Sequence, residues 1–248
     1  MPICWPQFSD FGPLQQHGFA RNQAWTLLSS GGASPHGAFV ELELRDEDAT
    51  RATWPHAFAL RLRLSLSEAG ALRMDFDVEN TGAEALSFTF AAHTYFRVRD
   101  AAQASVLGLT GTTYLDSLQA RTRCTEASDA VGFDKEVDRI YLSVPAKLQL
   151  ADKAAARTVT LETRGLPDAV VWNPWIAKAA AMADFGASRV AERCVRCLTA
   201  KPAARRQRGI QGDGLHRGSS CGTCDQRCAR RDLEGGTNHE QRVIEISR

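Results

Sequence analysis

Residues 58–78 read FALRLRLSLSEAGALRMDFDV. In the first half Phe58, Leu60, Leu62, Leu64 and Leu66 alternate with Arg61, Arg63, Ser65 and Ser67; in the second, Leu72, Met74, Phe76 and Val78 alternate with Arg73, Asp75 and Asp77. Side chains of a strand point to opposite faces at a period of two, so each half has one face for a core and one for water. Glu68-Ala69-Gly70 supplies the turn, and the stretch reads as an antiparallel hairpin. Working outward, short strands are expected at Ala38 to Arg45, Leu86 to Ala92, Ser105 to Leu109, Arg139 to Val144, Lys147 to Ala151, Thr158 to Thr163 and Ala169 to Trp172. Asn80-Thr81-Gly82 and Gly165-Leu166-Pro167 punctuate them. Only the Ala-rich Ile176 to Met182, after Asn173-Pro174, reads as helix. The expected class is all-β, an antiparallel sandwich.

The alternation stops near Gly186, and no later run resumes it before Val243-Ile244. Charge changes at the same place: residues 188–248 hold 13 Lys and Arg against 7 Asp and Glu, leaving 17 against 22 for residues 1–187, so that +6 and −5 make the net +1. Two regions are therefore expected: a β-sandwich over 1–187, and an Arg-, Gly- and Cys-rich segment of low order over 188–248. A net charge near zero gives no electrostatic footprint for nucleic acid or a membrane surface. No apolar run is long enough for a spanning helix and no leader is evident, so a cytoplasmic monomer is expected.

The opening is unusual for a sandwich. Ile3 to Asn22 (ICWPQFSDFGPLQQHGFARN) gathers Gln15, Gln16, His17, Arg21 and Asn22 around Gly18 in one loop. Three further blocks follow: Ala92 to Arg97 (AHTYFR), Phe133 to Leu142 (FDKEVDRIYL) and Val170 to Gly186 (VVWNPWIAKAAAMADFG). Taken alone, His93 at the end of an apolar run suits either a strand-end histidine or a general acid, and Arg21 either a solvated charge or an anion ligand. In this order the four blocks resemble the glucose-6-phosphate 1-epimerases of the aldose-1-epimerase family, over roughly residues 1 to 186. The resemblance implies a galactose-mutarotase-like β-sandwich whose concave sheet interconverts α and β anomers of a hexose 6-phosphate. It implies His93 as general acid, Arg21 as phosphate ligand, Gln16 and His17 as sugar contacts, and Asp138 as a carboxylate that binds sugar hydroxyls or orients the histidine. The chemistry needs one acid and one base, and no metal or other cofactor. Trp172, Asn173, Pro174 and Trp175 read as structural.

Two features depart from the family pattern. The Arg-Gly-Gly that precedes the match to Pro2–Trp5, with a second phosphate arginine, is not in this chain. After Asp184-Phe185-Gly186 a Val-Cys-Val-Glu strand carrying the catalytic base is expected, but Ser188 to Ala200 reads SRVAERCVRCLTA. A reading-frame change near Arg189 would account for much of this if Arg189 is encoded CGA, without restoring the glutamate, and low activity is the consequence expected. A rival reading pairs Cys194-x-x-Cys197 with Cys221-x-x-Cys224 as a zinc module, with Cys228 left over. A sandwich that binds sugar phosphate without turnover is the other alternative.

Overall fold

The structure is a computed structural model that describes residues 1–32, 37–182, 195–197, 231–233 and 239–247. Phe58–Leu66 and Leu72–Asn80 form the expected hairpin, with Leu62 opposite Phe76 and Arg63 opposite Asp75. They lie within a nine-stranded sheet that runs, edge to edge, Ala130–Gly132, Ala104–Leu107, Lys147–Asp152, Arg157–Arg164, His239–Ser247, Leu72–Asn80, Phe58–Leu66, Ala38–Arg45 and Thr26–Gly31. A six-stranded sheet runs Thr122–Thr125, Thr113–Asp116, Val137–Tyr141, Ala169–Asn173, Val195–Cys197 and Tyr95–Phe96. All pairings between these strands are antiparallel. The all-β architecture is the one the alternation predicts.

The alternation also says where the core lies. Val106, Leu148, Leu150, Val159 and Leu161 of the large sheet meet Tyr114, Val137, Tyr141, Ala169 and Val171 of the small one. A second cluster seats Leu60, Leu62, Met74, Phe76 and Val78 against Trp5, Trp54, Leu86, Phe88 and Phe90. On the opposite face of the hairpin Arg61 pairs with Glu43 at 3.0 Å and Glu79 at 3.1 Å, and Arg73 with Asp75 at 2.6 Å.

Three differences from the sequence reading have physical causes. The strand expected over Leu86 to Ala92 is two, Leu86–Phe88 and Ala91–Ala92, because Thr89 turns to the N-terminal segment: its N–H donates to Pro6 O at 2.8 Å and its Oγ1 accepts from Phe8 N at 2.6 Å. The helix is Trp175–Ala181, started where Asn173 Oδ1 accepts the Trp175 N–H at 2.8 Å. The low-order segment expected from residue 188 onward contains, where it is described, strands paired into sheets. Val195–Cys197 and His239–Ser247 join the two large sheets, and Arg231–Leu233 pairs with Leu86–Phe88. His239–Ser247 fills the place between Leu72–Asn80 and Arg157–Arg164, each of which would otherwise present an open edge. Its Val243 and Ile244 are buried, the two residues at which the sequence resumes its apolar pattern.

Candidate functional site

The N-terminal loop is built from its anchor outward. Trp5 is fully buried among Phe19, Trp54 and Phe58, with ring centroids 5.8, 5.0 and 4.5 Å away. Its carbonyl accepts the Phe19 and Ala20 N–H groups, both at 3.1 Å, which closes the loop on itself. Gly18 makes the closure possible: its φ is +65° and an added Cβ would stand 2.3 Å from the Trp5 oxygen, so no side chain fits. Inside the loop, Gln7 Nε2 donates to Ser9 O and Leu14 O at 3.0 Å each, and Gln7 Oε1 accepts from Leu14 N at 2.9 Å.

This scaffold holds His17 from two directions. Its N–H donates to Ser9 O at 3.0 Å, and its Nδ1 accepts the Ser9 N–H at 3.1 Å. An Nδ1 that accepts a backbone N–H carries no proton, so neutral His17 keeps its proton on Nε2. Ser9 and His17 both have left-handed backbone, φ 53° and 70°. Each such residue costs on the order of 1–3 kcal/mol, strain that surrounding structure must hold and that collects at functional sites.

His93 comes from the other side. It follows Ala91–Ala92, which pairs with Ile3–Cys4, and its N–H donates to Pro2 O at 2.9 Å. Its side chain is buried, with the His17 ring 5.6 Å away edge-on and the Tyr95 ring at 5.1 Å. Tyr95 begins a register row across the small sheet: Tyr95 opposite Arg196, Arg196 opposite Trp172, and Trp172 opposite Asp138. Directly opposed residues share a face, so Tyr95, Trp172 and Asp138 stand on one face, over three strand spacings of about 4.8 Å, or roughly 14 Å. Two residues toward the loop, the same face carries Ile140 and Val170, packed under Cys4, Phe8 and Phe11. The loop therefore covers one end of this face and leaves the Tyr95–Asp138 row beside it.

Four of the sequence-selected residues fall into one neighbourhood. His17 meets His93; Gln16 precedes His17, and its carbonyl accepts a bond from Arg21 Nη2 at 3.0 Å. Both Gln16 and Arg21 are exposed, and this bond occupies one arm of the Arg21 fork. Asp138 stands at the far end of the row, half-buried. Burial raises its carboxyl above the usual 3.8; the Ser117 hydroxyl and the Lys178 ammonium oppose the rise, while Glu136 and Asp116 add to it. A carboxyl of this kind takes up a proton more readily than an exposed one. The reading from sequence passed over Tyr95, whose position two residues from His93 on a strand was the available signal, and took Trp172 as structural only. Trp172 does pack on Ala179, Val170 and Met182, and it also stands in the row beside Asp138.

Apart from the backbone of Val195–Cys197, the segment Ser188 to Ala200, where the base is expected, lies outside the described residues, as do Cys194, Cys221, Cys224 and Cys228 of the zinc reading. Among the described residues no group of three or more His, Cys, Asp and Glu is placed to hold a metal, and no helix is long and apolar enough to cross a membrane.

Comparison with known proteins gives the family and the fold. The family model described as aldose 1-epimerase matches residues 1–198. A protein of Cenchrus ciliaris named "Putative glucose-6-phosphate 1-epimerase" is 45% identical over 192 residues, 75% of this chain and 58% of the relative. A protein of the same name from Salmonella typhimurium is 31% identical over 190 residues, 75% of this chain and 61% of that one. This chain thus spans about six-tenths of the length of these curated relatives. Among solved structures, a Salmonella typhimurium protein described as a "putative mutarotase" superposes with a TM-score of 0.79 at 24% identity, over 99% of this chain and 72% of that one. A galactose mutarotase related enzyme from Lactobacillus acidophilus gives 0.72 at 16% identity, over 99% and 81%. At these identities the two structures speak for the fold.

Proposed function

The chain belongs to the aldose 1-epimerase family, and from that premise we propose that it interconverts the α and β anomers of a hexose 6-phosphate, glucose 6-phosphate in the first instance. The observation that carries the reading is the meeting of His17 and His93, from separate parts of the matched segment, on the face whose register row ends at Asp138. His93 donates a proton to the ring oxygen as the C1–O5 bond breaks, and a base takes the proton of the C1 hydroxyl. The open aldehyde turns about C1–C2 and closes on its other face, and both protons return. His17, through its Nε2–H, donates to a sugar hydroxyl. Asp138 accepts from hydroxyls farther along the row. The exposed fork of Arg21, beside Gln16, takes the phosphate. Such a substrate is a soluble metabolite, and a monomer in the cytoplasm suffices for it.

The base is assigned to no residue. By resemblance it belongs to the strand after Gly186, where SRVAERCVRCLTA carries Glu192 but not the family pattern. Slow turnover is the consequence, since one acid–base group is worth about 10² to 10⁴ in rate. The same departure supports a second reading, a sandwich that holds sugar phosphate without converting it. Anomer exchange followed by NMR, with glucose 6-phosphate and glucose side by side, tests the first. Acceleration of the phosphorylated sugar alone, with Arg21→Ala abolishing the preference, is expected. Equal rates for both sugars would remove Arg21 from the site, and saturable binding with no acceleration would select the second reading.

A further inference from the structure

His17 can serve the site only if the loop that orients it stays in place, and the residue that fastens that loop, Arg121, lies outside the four sequence blocks. Arg121 follows the Ser117–Gln119 turn at the edge of the small sheet, on a pair of left-handed residues, Ala120 at φ 51° and Arg121 at φ 61°. Its N–H donates to Asp116 O at 2.8 Å, which fixes where the side chain leaves the sheet. From there the guanidinium pairs with Asp10, through Nη2 and Oδ1, and its carbon stands 4.2 Å from the centre of the Phe11 ring. Phe11 is in turn stacked on Phe8, with centroids 6.1 Å apart, and Phe8 lies 5.6 Å from His17. Asp10 follows Ser9, the residue whose N–H and C=O hold His17 at 3.1 and 3.0 Å.

We propose that Arg121 is a positioning residue: by gripping Asp10 and Phe11 from the small sheet, it holds Ser9 where its N–H keeps the neighbour of His93, His17, as an Nε2–H donor. It touches no substrate. Its effect reaches the sugar through His17, and this inference rests on the sugar-phosphate reading only for its kinetic consequence. The positive-φ residues at both ends of the contact, Ser9 and His17 on the loop and Ala120 and Arg121 on the turn, are the conformations that a maintained geometry demands and that a slack loop would relax. A surface ion pair alone holds little, but here the pair is joined to a ring contact by the same guanidinium, and together they act on two consecutive loop residues, Asp10 and Phe11.

The test uses the full chain with Arg121→Ala, Arg121→Lys and Asp10→Asn, each checked for an unchanged thermal midpoint. The first readout is the tautomer of His17 from ¹⁵N shifts of its ring at neutral pH. Wild type is expected to show unprotonated Nδ1 and protonated Nε2. Arg121→Ala and Asp10→Asn should both move His17 toward the averaged shifts of a free imidazole, with Arg121→Lys in between because it keeps the charge and loses the planar stack. Asp10 is exposed, so Asp10→Asn serves if Arg121→Ala fails to fold. The second readout is the split between KM and kcat for glucose 6-phosphate: KM should rise roughly three- to thirtyfold, the worth of an exposed pair plus a ring contact, with a smaller change in kcat. His17 shifts that stay at wild-type values in both variants overturn the proposal, whatever the activity. If the shifts move and no variant, wild type included, converts the sugar, positioning stands and the proposed reaction falls.

Discussion

At the scale of single residues, two carboxyls respond to their surroundings in opposite senses. Burial raises Asp138 above 3.8, so its protonated form is favoured in the folded state: the stability this brings is present below 3.8 and is lost as pH rises through the folded value. If Asp138 must be ionised to accept from sugar hydroxyls, kcat/KM should fall on the acid side along a limb centred above 3.8, and Asp138→Asn should lose most activity and the limb with it. A limb unchanged in that variant would show that another group titrates. Glu126 behaves the other way. Burial pushes its carboxyl up, but the hydrogen bond from Tyr141 at 2.7 Å, the Ser128 N–H at 3.0 Å and Arg139 at 2.9 Å outweigh this and leave it below 4.5. Its contribution is therefore present above pH 4.5 and lost as pH falls through the folded value. Urea midpoints measured from pH 6 downward should drop steeply below about 4.5 in wild type and less in Glu126→Gln. Equal slopes would contradict the assignment. Glu126 follows Thr122–Thr125 and ties it to Val137–Tyr141, and it was not legible beforehand because Arg139 and Tyr141 come from that separate strand.

At the scale of elements, strand parity was the legible part. Alternation at Phe58–Leu66 and Leu72–Asn80 needs no neighbour to be recognised, and the same rule gave Ala38–Arg45 residue for residue. Thr26–Gly31 escaped it because all six residues are exposed and no face is apolar throughout. His239–Ser247 escaped it because its sequence, HEQRVIEIS, is polar over its first half and follows a long stretch without alternation. Its register against both neighbours comes from the sheet, which leaves one strand's width between Leu72–Asn80 and Arg157–Arg164. Ile244 sits in the core at 2% exposure, while Glu245 faces out. Ile244→Ala should cost about 2–5 kcal/mol in urea unfolding, the usual range for a buried large-to-small change, and Glu245→Ala within about 0.5 kcal/mol. A loss below about 1 kcal/mol for Ile244→Ala would remove this strand from the sheet, since buried truncations lie above that.

At the scale of the whole molecule, the candidate site is an agreement among segments far apart in the chain. His17 and His93 were legible as separate residues, each by type and by the block around it. Their contact was not legible, because it depends on Ile3–Cys4 pairing with Ala91–Ala92 and on Trp5 anchoring the loop that packs on the face of the small sheet. The row Tyr95, Trp172 and Asp138 was hidden for the same reason: four strands, Val195–Cys197 among them, must find their register before these side chains share a face. The central claim is that this shared face, with His93 as its acid, acts on a hexose 6-phosphate. It is tested most directly by the exchange rate between the α and β signals of glucose 6-phosphate in NMR, for the chain and for His93→Ala at equal concentration. Exchange above the buffer rate is expected for the chain, with a return to the buffer rate for His93→Ala. Exchange at the buffer rate for both, or acceleration that survives in His93→Ala, would contradict it.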